Sequence, residues 1–470
     1  MHIIEIIVKG LLVLFMIYTV GYIVQWIIGM CVSFSRFSHF HENRTAVQEI
    51  LPDWIAKDHP VSAIIPAYNE RDCILATIES LLQEDLPNLE IIMVDDGSTD
   101  QTVQKVLKFY DLHEFHMDEL PGTLKTKPIH QVYRRSFGTK TLTLISKENG
   151  GKSDALNCGL NFCTSRYCMV MDADTLVERG STRIMLQQFL SDPKTIVCAG
   201  AVQNSIYKSV KYRHLPLSEK CLVLFQALEY FRTFYMQRIL FDKINANTII
   251  SGAFAMFDVG MIRAVGGYRP KTIGEDMELT MRLHAFCHAQ GHPYRIVSVP
   301  EARCRTQVPF HYRDYYRQRR RWHIGMIQSM KRHFYMIGSR YYGWVGVVTG
   351  SFVVVYELLA PFIEILGLIT LLLAYRLKML NVGFALFAMA LYALFVIGTE
   401  AVFLQGLQLY QIEPLTFKSR FSFFLISILE FFIFHPMNMV IKLSAFLSYR
   451  KHSGTWGINQ RSETVVSKSL

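Results

Sequence analysis

Three patterns are missing from this 470-residue chain: a paired-cysteine spacing, a Gly-four-residue-Gly-Lys phosphate loop and a nucleic-acid reader motif. The nine cysteines are odd in number, and Cys158, Cys163 and Cys168 stand five apart, a spacing that holds no zinc. They read as small buried hydrophobes in a reducing compartment, which places the middle of the chain in the cytosol. A formal charge of +10 would suit a nucleic-acid binder, but the absent reader motif sets that class aside. The basic residues gather instead beside apolar segments, as at Arg317, Arg319, Arg320, Arg321, Lys331, Arg332, Arg450 and Lys451. The inner side of a membrane attracts and retains such charge. No small-residue cleavage site precedes Ser33, so the apolar N-terminus reads as an anchor rather than a signal peptide.

Hydrophobic residues, by contrast, are abundant at 51%. They concentrate in residues 3–33 and again beyond 343. The first run exceeds the roughly 20 residues that cross a bilayer. The expected layout is a transmembrane helix (1–34), a linker (35–60), a cytosolic domain (61–335), a bundle of about three spans (336–450) and a polar tail (451–470). The spans fall near 343–375, 380–408 and 420–447. Three crossings would put the C-terminus outside, whereas the basic Tyr449–His452 stretch prefers the inside. Glu357, Glu364, Glu400 and Glu430 lie in or near these stretches. Carboxylates there either line a wet path or hydrogen-bond one helix to another.

Between the apolar ends, short β-branched runs are closed by turn residues. Val61–Pro66, Ile91–Val94, Leu142–Ser146 and Tyr167–Met171 read as strands, with helices over Asp72–Gln83 and Lys152–Cys163. This alternation implies a doubly wound α/β domain, whose ligands gather at strand carboxyl ends. Residues 110–140 carry little periodicity and read as an excursion. Val210–Ala246 reads as an amphipathic helix that lies on the membrane or covers the domain.

Polar clusters occur at these strand ends and on the helices beyond. Pro66–Glu70 follows the first strand and Val94-Asp95-Asp96-Gly97-Ser98 closes the second; each is either a turn or a contact for a base or ribose. Glu148-Asn149-Gly150-Gly151-Lys152-Ser153 combines free backbone, a cation and a helix start, which suits a diphosphate. Asp172-Ala173-Asp174 ends the last strand. Residues two apart on a strand share a face, and crowded carboxylates call for a divalent hard cation, Mg2+ or Mn2+. Ser251-Gly252-Ala253-Phe254 precedes Gly274-Glu275-Asp276, where Asp276 is either the cap of a helix over Met277–Ala285 or a general base. Gln318–Trp322 lies on a basic stretch before the membrane. It either anchors that interface or clamps a diphosphate and stacks on a sugar.

In this order, from Val61 through Trp322, the clusters resemble the family-2 glycosyltransferases of GT-A fold. The particular likeness is to the membrane-bound synthases of cellulose, chitin, hyaluronan and poly-N-acetylglucosamine. The resemblance implies a GT-A catalytic domain of Rossmann-like α/β type between transmembrane helices, cytoplasmic and attached to the cell's inner membrane. It implies that Ala67, Tyr68, Glu70, Asp96, Lys152, Asp172 and Arg321 bind a UDP-sugar, that Asp174 holds Mg2+ or Mn2+, and that Asp276 is the base. Gly252, Ala253, Phe254, Glu275, Gln318 and Trp322 would meet the acceptor. Expected partners are a UDP-sugar, a polysaccharide or lipid-linked acceptor and membrane lipids, with room for a small membrane subunit and without nucleic acid. Gly274 departs from the Thr that often precedes Glu-Asp in these enzymes, and no cyclic-dinucleotide receptor domain follows the membrane region. The reading is an inverting polysaccharide synthase. Its alternatives are single transfer to a lipid and a catalytically inactive transporter or scaffold.

Overall fold

The computed structural model describes residues 2–42, 51–116, 122–204, 210–379, 382–409 and 417–452. The expectations for residues 43–50 of the linker and for the tail beyond 452 lie outside the described residues. Ten strands form one mixed sheet, ordered β3-β4-β5-β2-β1-β6-β9-β8-β10-β7. They are β1 (Val61–Ala67), β2 (Leu89–Asp95), β3 (His113–Glu114), β4 (Ile129–Phe137), β5 (Lys140–Lys147), β6 (Tyr167–Met171), β7 (Leu176–Val177), β8 (Thr195–Asn204), β9 (Phe254–Asp258) and β10 (Arg295–Thr306).

The expected parallel half is present as β5-β2-β1-β6, in which every pairing is parallel. Their central residues are fully buried, as near-continuous apolar runs demand when both faces are covered. Parallel pairing brings the ends at Ala67, Asp95, Lys147 and Met171 to one edge of the sheet. The loops carrying the polar clusters therefore emerge side by side. The other half is mixed, because β9 runs antiparallel to both β6 and β8. The excursion at 110–140 contributes β3 and β4, antiparallel additions at the sheet edge. Their alternation was faint because an edge strand with solvated positions, Ile129-His130-Gln131-Val132-Tyr133-Arg134, needs few apolar residues.

Eleven helices matter to the site and the membrane. They are α1 (His2–Glu42), α2 (Ile74–Leu82), α3 (Lys152–Phe162), α4 (Leu217–Arg232), α5 (Arg238–Lys243), α6 (Glu275–Gln290), α7 (Tyr312–Arg332), α8 (Ala360–Arg376), α9 (Val382–Leu409), α10 (Phe417–Leu429) and α11 (His435–His452). The expected helix over Val210–Ala246 is not continuous. A π-helical turn at Thr233–Gln237 joins α4 to α5. The rod lies between β8 and α10, so it covers the domain and meets the membrane bundle at once.

Among the described residues, His2–Arg36 and Arg420–Tyr449 are each long and apolar enough to cross a membrane. A third span arises if Val345–Leu358 and α8, bent by 56°, are counted as one. α1 packs against α8 and α9, leaving Ile3, Leu14 and Ile17 outward. Four carboxylates of the C-terminal segments, Glu357, Glu364, Glu400 and Glu430, have partners. Glu357 meets Lys442 at 3.0 Å, and Glu364 meets His435 at 2.7 Å and the Tyr18 hydroxyl at 3.3 Å. Glu400 accepts from Ser427, and Glu430 pairs with Arg232. Each contact joins two helices, which is the second of the two roles open to these residues.

Candidate active site

At the edge where the parallel strands end, the first two loops are laced together. Asp96 N–H donates to the Ala67 carbonyl at 2.9 Å, Asn69 N–H to Ser98 Oγ at 2.9 Å, and Glu70 N–H to Thr102 Oγ1 at 3.0 Å. Tyr68 and Glu70 remain half-buried beside this lacing.

Asp96 is 3% exposed and is held by groups the sequence did not point to. Lys147, with a side chain 0% exposed at the end of β5, donates to Asp96 Oδ1 at 2.7 Å and to the Glu148 carbonyl at 2.6 Å, and pairs with Asp154 Oδ1 at 2.6 Å. The backbone amides of Gly150 and Gly151 donate to Asp96 Oδ1 and Oδ2, at 3.0 and 2.7 Å. The glycine amides expected at a diphosphate thus serve the aspartate expected at the base. Burial works against the Lys147 charge, but Asp154 and Asp96 outweigh it and raise its pKa. A lysine closing an apolar strand was the available signal for this cluster.

Lys152, the first residue of α3, turns the other way. Its Nζ lies 2.7 Å from Asp172 Oδ1 and 3.0 Å from Glu275 Oε1. Burial opposes the ammonium, yet these two carboxylates drive its pKa well above the usual lysine range. Asp172 and Asp174 do not sit on the strand. β6 ends at Met171, and a turn closed by Thr175 N–H to the Asp172 carbonyl at 3.1 Å carries both residues. The shared-face argument therefore fails for this pair. A turn, not strand alternation, sets their spacing, and Lys152 neutralises one of them.

Asp276 stands next to this ion cluster. α6 begins at Glu275 with Gly274 as its N-cap, two residues earlier than expected, so Asp276 is not the cap. Its Oδ1 accepts from Met277 N–H at 2.7 Å and its Oδ2 from Gly252 N–H at 3.3 Å. Burial, then the charge of Glu275, raise its pKa from 3.8 to about 6; Lys152 and the backbone donors only partly offset them. Gly252 is required by this closeness, since a Cβ there would lie 3.2 Å from Lys152 Nζ and 3.7 Å from the Asp276 Cβ. Ala253 and Phe254 behind it are buried at the start of β9.

α7 reaches the same region from the membrane side. Gly274 packs on Gly325 so closely that a Cβ on Gly325 would stand 2.7 Å from Gly274 N. This accounts for glycine where Thr is frequent. The Gln328 side chain accepts from Ile273 N–H at 2.9 Å, which pins α7 to the loop before Glu275. Arg319 pairs with Glu229 of α4 at 2.6 Å and stacks on the exposed Trp322 ring, 4.4 Å from its centroid. Gln318 Oε1 is buried without a partner. Arg321 is half-buried on the same helix. Burial raises the pKa of Tyr230 of α4, and the charges of Arg319, Glu229, Asp174 and Asp172 reach its hydroxyl. Sequence reasoning missed it, and only its place beside Glu229 hinted at it.

One ammonium, Lys152, thus meets Asp172 and Glu275 directly and Asp276 beside them. Such an excess of carboxylate fits a divalent cation. Among the described residues no group of three or more His, Cys, Asp or Glu side chains could hold an ion. An ion here would therefore need ligands from a bound substrate, the usual arrangement for Mg2+ held against phosphates.

Residues 62–266 match the family model described as Glycosyl transferase family 2, and residues 167–398 the one described as Glycosyl transferase family group 2. The poly-beta-1,6-N-acetyl-D-glucosamine synthase of Staphylococcus epidermidis is 26% identical over 275 residues, covering 58% of this chain and 56% of that protein. The enzyme of the same name from Staphylococcus aureus strain MSSA476 matches to the same extent. The chain therefore spans little more than half the length of these curated relatives. Among solved structures, a mannosyltransferase from Pyrobaculum calidifontis in complex with GDP-Man and Mn2+ aligns with a TM-score of 0.50 and 19% identity. That alignment covers 86% of this chain and 98% of the other, a likeness of fold.

Proposed function

We propose that this chain is a hexosyltransferase, in keeping with its matches to family-2 glycosyltransferase models, its GT-A fold and its apolar helices, and that it transfers sugar from a UDP-sugar to a growing polysaccharide by inverting displacement. The observation that carries this reading is the Lys152 bridge between Asp172 and Glu275, beside an Asp276 whose pKa is raised to about 6. A general base works best with a pKa near the operating pH, and Asp276 is already held by two backbone donors.

In this reading Ala67, Tyr68, Glu70 and Asp96 bind the uridine, and Lys152, Asp172 and Arg321 bind the diphosphate sugar. Gly252, Ala253, Phe254, Glu275, Gln318 and Trp322 bind the acceptor. Asp174, with the donor's phosphates, would hold Mg2+ or Mn2+, which supplies charge neutralisation to the departing diphosphate. Asp276 removes the acceptor hydroxyl proton, and the freed oxygen displaces UDP at the anomeric carbon. Lys152 exchanges its carboxylate partners for phosphate oxygens as that charge develops. The domain works on the cytoplasmic side of the inner membrane, in keeping with the basic residues beside its apolar helices. The bundle offers a route by which product could leave.

The test is a screen of UDP-sugars for UDP release by the purified full chain, with and without chelator, followed by sizing of the product. The expected result is metal-dependent release and a polymer ladder. A single glycolipid would replace the polymer reading with lipid transfer, and no release with any donor would sink catalysis itself.

A further inference from the structure

Arg319 of α7 sits between two rings of its own helix, Tyr315 one turn before it and Trp322 one turn after. Its guanidinium carbon lies 4.9 Å from the Tyr315 centroid and 4.4 Å from the Trp322 centroid. The two rings differ in their surroundings. Tyr315 is fully buried, its ring meets Phe225 of α4 edge-on at 6.4 Å, and its hydroxyl donates to Asn438 Oδ1 of α11 at 2.8 Å. Trp322 is 43% exposed, and among the described residues its indole has no hydrogen-bond partner and no ring neighbour. Arg319 therefore links a fixed ring to an exposed one.

A guanidinium donates hydrogen bonds in its plane and takes rings on its faces. Whatever holds one edge of Arg319 thus sets the plane on which Trp322 lies. That edge is held from another element, because Glu229 Oε1 of α4 accepts from Arg319 Nη1 at 2.6 Å. Glu229 is in turn placed by a helix whose Leu228 and Arg232 are buried, Arg232 against Glu430. The other polar atoms of the pair, Glu229 Oε2 and Arg319 Nε and Nη2, are out of reach of solvent and unpartnered. A substrate cannot meet those atoms; the exposed part of the assembly is the indole. A guanidinium 12% exposed with two nitrogens unpaired is costly to hold. A helix-to-helix tie alone is served as well by apolar side chains.

We propose that Glu229 is a positioning residue for the acceptor, holding the Trp322 indole through Arg319 in the plane on which a sugar ring stacks. Packing on an aromatic face is directional, so an indole free to turn would bind a sugar less well. The inference rests on the reading of Trp322 as an acceptor contact and deepens it. It adds a residue 90 positions upstream of Arg319, outside the Gln318–Trp322 cluster.

The test uses the full chain in detergent or nanodiscs and, as acceptor, a short oligomer isolated from its own product. At saturating donor, Glu229→Ala should raise the acceptor KM by roughly 3- to 30-fold, the range of one ring–cation contact between exposed and desolvated settings. UDP affinity and kcat should stay within about twofold. Glu229→Gln, which keeps an oxygen for Arg319 Nη1, should recover part of the loss. In a Trp322→Ala background, where no indole is left to direct, Glu229→Ala should add nothing to the acceptor KM. A purely structural tie would raise KM equally in both backgrounds, or lower Tm with kcat falling in proportion to folded protein, and either result overturns the proposal. So does an unchanged acceptor KM in Glu229→Ala when Trp322→Ala raises it; the inference then fails alone. If Trp322→Ala leaves the acceptor KM unaltered, or the wild type transfers to no acceptor, the broader reading fails and takes this inference with it.

Discussion

Two buried cations, one in the candidate site and one in the helical rod that covers the domain, are held in opposite ways. Lys147, at the donor end, has Asp96, Asp154 and a carbonyl within 2.7 Å. Arg238, at the start of α5, has no carboxylate at ion-pair distance, and its Nη1 is buried without a hydrogen-bond partner. A nucleotide is a constant ligand, so its pocket can be completed in advance by the fold. An acceptor that must enter, react and shift has its hydrogen bonds completed only on arrival. In the proposed reading, the groups around Asp96 are completed in advance by the fold, and those that would meet the acceptor are completed on its arrival.

The largest expected effect strikes the acceptor end. Asp276→Asn keeps the shape and one of the two backbone contacts, since its amide nitrogen cannot accept, but removes the base, so turnover should fall by on the order of 10²–10⁴-fold. UDP affinity, measured by calorimetry, should be nearly intact. Equal turnover in the variant would remove Asp276 from its role and dissolve the contrast between the two ends.

Lys147→Met tests the donor end. It leaves Asp96 and Asp154 buried without their cation, and breaking a buried pair in this way costs about 3–5 kcal/mol. A lower urea midpoint and a weaker UDP affinity are expected together, since the Gly150–Gly151 loop and Asp96 are tied by the same knot. If stability falls while UDP binding by the folded fraction is unchanged, Lys147 is a strut of the sheet and not part of the nucleotide pocket.

These two variants also mark how far the sequence could be read. The strand ends at Ala67, Asp95 and Met171 were legible because buried parallel strands are apolar runs that stop at turn residues. The partners of the charged residues were not legible. Lys152 meets Glu275 only because β9 returns antiparallel beside β6, a pairing that no local pattern announces. The Asp172 turn was misread as strand because a five-residue strand and the turn after it share one apolar-to-acidic transition. The unpartnered Nη1 of Arg238 is a property of the packed fold alone. The membrane carboxylates stood open between two roles until Glu357, Glu364 and Glu430 were seen paired across helices.

A middle-sized effect is expected where the helix carrying Arg319, Arg321 and Trp322 crosses the loop before Asp276. Gly325→Ala puts a methyl 2.7 Å from Gly274 N, against backbone that has no side chain to move aside. Overpacking of this kind costs about 1–3 kcal/mol. Because the displaced loop carries Glu275 and Asp276, kcat should fall while UDP affinity holds. Both parameters unchanged would mean that the two ends tolerate independent movement and that α7 is not coupled to the base.

The smallest effect separates function from stability by pH. Asp276 titrates near 6 in the folded protein and near 3.8 when unfolded. The raised folded value means that protonation favours the fold, so this contribution is fully present below 3.8 and is lost as pH rises through about 6. Activity has the opposite sign, since only the ionised carboxylate can take a proton. Between pH 5 and 7, kcat/KM should therefore climb with a midpoint near 6, while the Tm of ligand-free, metal-free protein should gain less from rising pH in the wild type than in Asp276→Asn. At pH 7 the variant should be the more stable by at most about 3 kcal/mol, and by less once solvent screening of the half-buried carboxylate is allowed for. A carboxylate maintained for catalysis at the cost of stability should produce these opposed slopes. Parallel slopes would place the titration elsewhere and leave the acceptor end without its strained charge.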